Sequence, residues 1–201
     1  MARNTTKKSA AARPRVGSYT TPGLADGAGQ KVAELLQGRL NALNDLALTL
    51  KHVHWNVVGP HFIGVHEMID PQVVEVRAMV DETAERIATL GSSPIGTPGA
   101  IVQNRSWDDY SLDRGTTDEH LGALDVVYNG LLQDHRATQE VTADLDAVTG
   151  DMLIGQIKAL ELFHWFIRAH LESVGGGLST DAATSETGAA KKAARSARKA
   201  S

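Results

Sequence analysis

The chain has 201 residues, with 20 lysines and arginines against 24 aspartates and glutamates, and it contains no cysteine. The lack of cysteine excludes disulfide scaffolds, Cys-ligated zinc or iron–sulfur sites and thiol nucleophiles. The length supports one domain with its own core, and no apolar run approaches the roughly 18 residues of a membrane span.

Residues 1–27 are predicted to form a basic, flexible N-terminal tail and lead-in. Every charged residue up to position 17 is positive, for a total of +5: Arg3, Lys7, Lys8, Arg13 and Arg15. The segment is poor in large apolar residues, so burial cannot offset the entropy lost on ordering it. It also lacks the apolar stretch of a secretory signal, which predicts a cytoplasmic protein.

Residues 28–177 are predicted to form a four-helix bundle. Apolar residues at spacings of three and four predict helices over about 28–57, 64–90, 115–143 and 150–174. The link between the second and third helices is too long for a simple hairpin, and its residues 107–110 are predicted to form a short helix. The fold class is therefore all-α, a bundle with one long crossover.

Residues 178–201 are predicted to form a second basic, flexible tail. From position 188 onward all charged residues are again positive, for +5: Lys191, Lys192, Arg195, Arg198 and Lys199. Since the whole chain carries −4 and each end carries +5, residues 18–187 carry −14. An acidic body between two basic tails favours a nucleic-acid partner, although short basic tails can also serve solubility alone.

Imidazoles and carboxylates crowd the junction of the first two helices and the helix that follows. His66 and Asp70 share one helix face, and so do Asp81 and Glu85. At 1.5 Å per residue the two pairs lie roughly 16 Å apart, so they cannot bind one ion. An antiparallel copy of the helix, related by a two-fold axis, would bring one pair opposite the other. The mixed donor set suits iron, manganese or zinc better than calcium.

The end of the first helix supplies one more candidate ligand. His54 is placed to join His66, whereas His52 lies about 200° away around the helix and points in the opposite direction. Taken alone, His66 with Asp70, or Asp81 with Glu85, would be explained as residues that take part in ordinary surface ion pairs. A di-iron site within one chain is the rival interpretation, but it requires two Glu-x-x-His motifs, and the chain does not contain two.

These residues carry a resemblance to a known family. The pattern His54-Trp55-Asn56, Gly59-Pro60, Phe62, His66-Glu67-Met68, Asp70, Asp81 and Ala84-Glu85-Arg86 resembles the Dps family, DNA-binding proteins from starved cells, in its actinobacterial form. The resemblance covers about residues 30–175 and includes 162–167. It implies a ferritin-like subunit, a hollow shell of twelve subunits and a ferroxidase centre at each two-fold interface. In that pattern His54, His66 and Asp70 come from one subunit and Asp81 and Glu85 from its neighbour.

The resemblance also implies a reaction. Fe²⁺ is expected to be oxidised, preferably by hydrogen peroxide and otherwise by dioxygen, with the ferric mineral stored inside the shell. Trp55 is expected either to lie near the site and intercept radicals or to be an interface aromatic. Asp146 and Asp151 fall where the family has its three-fold pores, and helix capping is the alternative role for each.

The charges of the two basic tails predict how the protein binds DNA. Ten tail charges per subunit, multiplied over a shell, would bind DNA phosphates without sequence preference, compact the DNA and place the protein on the nucleoid. Removing both tails is predicted to abolish this binding and to leave iron oxidation intact. The alternative function is a structural nucleoid protein whose metal site is weak or binds zinc.

Overall fold

Four long helices form the body of the protein in a computed structural model that describes residues 21, 23–173 and 175–200. They are α1 (Ala28–Asn56), α2 (Phe62–Thr89), α4 (Thr117–Leu145) and α5 (Ala147–Leu171), with a short α3 (Pro98–Asn104) between α2 and α4. A further helix, α6 (Glu186–Ala200), follows the bundle. The predicted all-α bundle with a long crossover is confirmed.

The core consists of the apolar faces that the periodicity predicts. Its larger cluster joins all four long helices and includes Leu50, Val76, Leu124, Tyr128 and Leu160. A second cluster fills the end of the bundle where α1 begins and α2 ends, around Leu36, Leu40, Ile87, Leu90 and Leu153. Burying a side chain of this size contributes roughly 1.5–3 kcal/mol, so the clusters hold the helices at fixed positions.

A small parallel sheet ties the end of α1 to the start of α4. Strand β1 (Val57–Val58) pairs with β2 (Gly115–Thr116), Val57 opposite Gly115 and Val58 opposite Thr116. Helix α4 then begins with a capping box, in which the Thr116 hydroxyl accepts from the Glu119 N–H and the Glu119 carboxylate accepts from the Thr116 N–H. The sheet and the cap fix the turn that follows His54.

The short helix of the crossover lies earlier than predicted. It spans Pro98–Asn104, where a proline at its first position has the backbone angle that a helix start requires. The prediction of a helix over 107–110 is wrong. This segment has no helical turn, because the Trp107 indole N–H donates to Asp45 Oδ2 at 2.8 Å and so holds the chain against α1.

The C-terminal segment also differs from its prediction. Instead of a flexible tail over 178–201, the described residues contain α6, whose Ala189, Ala190 and Ala193 are buried. The small alanine side chains allow α6 to lie close to α4, so the two helices pack together although each alanine buries little apolar area. The basic residues predicted near the N-terminus, from Arg3 to Arg15, lie outside the described residues.

None of the helices in the described ranges is both long enough and apolar enough to cross a membrane.

Candidate metal centre

The turn between α1 and α2 brings His54 and His66 face to face. Their rings stack with centroids 3.6 Å apart and planes 22° from parallel. His54 Nδ1 lies 3.0 Å from the carbonyl oxygen of His66, and His66 Nδ1 lies 2.8 Å from that of His54. A carbonyl oxygen only accepts hydrogen bonds, so each Nδ1 carries the proton. Each Nε2 is therefore left with a lone pair for a metal ion, the arrangement that orients imidazole ligands in metal sites.

Asp70 lies next to this histidine pair. Its Oδ1 is 3.3 Å from His54 Nδ1 and accepts a hydrogen bond from Lys51 Nζ at 2.8 Å. The Lys51 hydrogen bond, with smaller contributions from His54 and His66, lowers the pKa of Asp70. The carboxylate is thus charged at neutral pH and can bind a cation. The structure brings three of the five predicted ligands, His54, His66 and Asp70, to one place.

Asp81 and Glu85 lie apart from these three. Both are exposed and lie further along α2. Across 23–173 and 175–200 no three His, Asp or Glu side chains of one chain are grouped closely enough to hold a metal ion. One chain therefore presents two incomplete ligand sets, one where α1 and the start of α2 meet and the other further along α2.

His52 points away from the site. Its Nε2 is 2.8 Å from the carbonyl oxygen of Leu112, and its ring lies edge-on to Tyr110. The prediction that His52 and His54 face opposite directions is confirmed.

Lys51 is a residue of this site that the sequence analysis missed. Its ammonium contacts Asp70 on one side and lies 5.7 Å from the ring centroid of Trp55 on the other. Trp55 is 71% exposed, so it borders the site through Lys51 and does not pack within it. The spacing of three from Lys51 to His54 places both residues on one helix face, and this signal was available in the sequence.

The two predicted pore residues have different environments. Asp146 is 5% exposed, caps α5 through the Val148 N–H, and accepts hydrogen bonds from Thr149 and Arg86, the latter at 2.5 Å. These contacts match the helix-capping alternative and leave Asp146 little capacity for a passing cation. Asp151 is exposed.

Two further histidines, His61 and His164, lie away from the His54 and His66 pair. His61 is exposed beside a surface cavity, and His164 is buried against Asp125 with 2.6 Å between Nε2 and Oδ1. Glu161 and His164 form the one Glu-x-x-His motif of the sequence, but their side chains have different partners in the structure: Glu161 pairs with Arg136, and His164 pairs with Asp125.

The basic residues of α6 share one exposed face. At about 100° per residue, the five positions predicted for DNA binding fall within an arc of about 120°: Lys191, Lys192, Arg195, Arg198 and Lys199. The buried alanines occupy the opposite side of the helix.

Comparisons with known proteins agree with this architecture. A ferritin-like domain family model matches residues 33–175. The chain is 61% identical over 178 residues to the DNA protection during starvation protein of Mycolicibacterium smegmatis, covering 89% of this chain and 97% of that protein. Mycobacterium smegmatis Dps in its tetragonal form superposes with a TM-score of 0.79 at 63% identity, over 80% of this chain and 98% of that one. DpsA14 from Streptomyces coelicolor superposes with a TM-score of 0.80 at 58% identity, over 83% and 99%.

Proposed function

Because this chain belongs to the Dps family of ferritin-like proteins, we propose that it protects DNA in starved cells by oxidising and storing iron and by binding DNA. Fe²⁺ is its substrate, and hydrogen peroxide is the preferred oxidant, with dioxygen as the alternative. Two Fe²⁺ ions supply the two electrons that reduce one peroxide to two water molecules, which consumes two protons. Peroxide and Fe²⁺ are removed together, so less hydroxyl radical forms near DNA.

The stacked pair His54 and His66 is the observation that supports the metal site best. Both rings hold their protons on Nδ1, so both Nε2 atoms are available to a metal ion, and the charged Asp70 lies beside the pair on the Nδ1 side of His54. The neutral imidazoles give affinity for Fe²⁺, and the carboxylates favour the Fe³⁺ product.

The missing ligands are supplied in this proposal by a second subunit. Within one chain Asp81 and Glu85 lie too far along α2 to reach the histidines. A two-fold axis places Asp81 of the partner subunit and Glu85 of the partner subunit opposite His66 and Asp70, and creates two equal sites. Twelve such subunits form the shell that holds the mineral, and the exposed Asp151 attracts Fe²⁺ at its pores.

The test of the site is Fe²⁺ oxidation by peroxide, followed at the ferric absorbance with purified protein. The His66→Ala/Asp70→Ala variant should lose the fast phase of oxidation. A matched control, His61→Ala/Glu75→Ala, removes one imidazole and one carboxylate from exposed positions in the same region and should keep the parent rate. Equal rates in the first variant and the parent would reject the site.

Binding to DNA is supported by the distribution of charge. The body of −14 repels phosphates, so the attraction must come from the basic residues at the two ends, five of which lie on the exposed face of α6. Such contacts bind and compact DNA on the nucleoid without reading its sequence.

A structural nucleoid protein with a weak or zinc-binding metal site remains the second candidate. The docked basic helix favours it, because α6 needs no iron to present its charges. The oxidation assay separates the two functions, since only the ferroxidase depends on His66 and Asp70.

A further inference from the structure

One buried carboxylate holds the C-terminal segment to the bundle. Asp125 on α4 is 7% exposed, and its Oδ1 accepts hydrogen bonds from His164 Nε2 at 2.6 Å and Arg168 Nε at 2.8 Å. Its Oδ2 accepts from Thr180 Oγ1 at 2.7 Å. Asp125 therefore joins α4, α5 and the segment that leads from α5 to α6.

The charge on Asp125 makes the Thr180 contact strong. Burial alone would raise the pKa of this carboxyl, but the hydrogen bonds from His164, Arg168 and Thr180 outweigh it and hold the pKa well below its usual range. Hydrogen bonds to a charged group are among the stronger ones in proteins. Loss of the Thr180 hydroxyl would leave a charged oxygen buried without this partner.

Close packing sets the orientation of α6 on α4. A Cβ atom at Gly122 would lie 2.8 Å from the carbonyl oxygen of Ala189 and 3.0 Å from the Cβ of Ala193. Only glycine at this position allows the helices to approach so closely. With the alanines against α4, the five basic residues between Lys191 and Lys199 are exposed, and of these Lys192 also donates a hydrogen bond to the carbonyl oxygen of Asp181 at 2.7 Å.

We propose that the Thr180–Asp125 hydrogen bond is a latch that keeps the basic face of α6 directed outward, and that the latched helix is the form that binds DNA. This rests on the proposed DNA binding. If α6 were released, its five basic residues would no longer be held on one face, and the segment would have to be ordered again when it binds DNA phosphates, which costs affinity. In the latched state the alanine face contacts α4, and the basic face stays available to phosphates.

The test compares Thr180→Val, which replaces the hydroxyl with a methyl group of similar size, with Thr180→Ser, which keeps the hydroxyl. Hydrogen–deuterium exchange of the α6 amides should become roughly tenfold faster in the valine variant, since it lacks one hydrogen bond to a charged group. Duplex DNA of random sequence should bind on the order of tenfold more weakly, because the contacts are multivalent. The serine variant and Fe²⁺ oxidation in both variants should match the parent.

A second pair of variants tests the docked state by another route. Gly122→Leu pushes α6 from α4 sterically, whereas Gly130→Ala on the same helix adds a Cβ that meets nothing within 4 Å. The leucine variant should reproduce the weaker DNA binding of Thr180→Val, and the alanine variant should not.

Two results would overturn the latch: unchanged exchange in Thr180→Val, or faster exchange with DNA affinity equal to or above the parent's. Failure of the parent itself to bind DNA would overturn the DNA-binding function and the second half of the proposal. The exchange data would then still decide whether Thr180 holds α6.

Discussion

Lys51 donates a hydrogen bond to Asp70, with 2.8 Å between Nζ and Oδ1, so an ammonium group occupies one oxygen of a predicted iron ligand. Fe²⁺ must displace this ammonium and overcome its repulsion. We expect Lys51→Met to lower the Fe²⁺ concentration for half-maximal oxidation by roughly two- to fivefold, a range typical of an exposed ion pair. The exposed Lys158→Met, on α5, serves as the control. A higher Fe²⁺ requirement in Lys51→Met would show that Lys51 assists binding.

Sharing of the site between subunits can be tested by mixing two inactive variants. One carries His66→Ala and the other Asp81→Ala/Glu85→Ala. In a mixed pair, one of the two sites contains every defect and the other contains intact ligands from both chains. Random co-assembly gives mixed pairs half of the time, so about a quarter of parent activity should return when the variants are unfolded and refolded together.

Each variant refolded alone controls for the mixture and should stay inactive. Complete inactivity of the refolded mixture, with oligomers of normal size, would show that all five ligands act within one chain.

The sequence alone was sufficient to predict the helical bundle and the grouping of His54, His66 and Asp70. The four long helices bury strong apolar stripes, and the 200° between His52 and His54 already showed that only one of the two can face the site. The spacing of three already placed Lys51 on the His54 face of α1, but its hydrogen bond to Asp70 joins two helices and appears only when α2 lies beside α1.

Helix α6 could not be predicted from its own composition. Ala189 and Ala193 provide little apolar area, and a segment rich in alanine and basic residues is typical of a solvated tail. Its docking depends on Gly122, a residue distant in sequence that gains meaning only when α4 and α6 meet. The crossover helix was misplaced for a similar reason, because the Trp107 contact with Asp45 holds 107–110 in a non-helical form.

Neutralising part of the basic face of α6 should weaken DNA binding without undocking the helix. We expect Lys191→Gln/Arg195→Gln/Lys199→Gln to lower affinity and to make the dependence of log K on log salt shallower, by up to about 0.9 for each phosphate that is no longer neutralised. The substitutions keep good helix formers and leave the buried alanines unchanged.

The matched control removes three exposed charges elsewhere: Lys31→Gln/Arg114→Gln/Lys158→Gln. Titration of duplex DNA at several salt concentrations measures both slopes. If both triple variants shift equally, total charge governs binding and the α6 face has no special role.

His135 should make the protein sensitive to mild acid. This α4 residue is fully buried against Arg39 of α1, with Asp134 beside them. Burial, reinforced by the Arg39 charge, lowers the pKa of His135 to about 4. The unfolded chain, with a pKa near 6.5, binds this proton more readily, so stability is complete above about pH 6.5 and declines as pH falls toward 4. At pH 5 the decrease in the free energy of unfolding is about 2 kcal/mol. Urea midpoints at pH 7.5 and 5 measure it, and His135→Gln, with no titrating ring, should reduce the difference by that amount; an equal acid effect in both proteins would assign it to other groups.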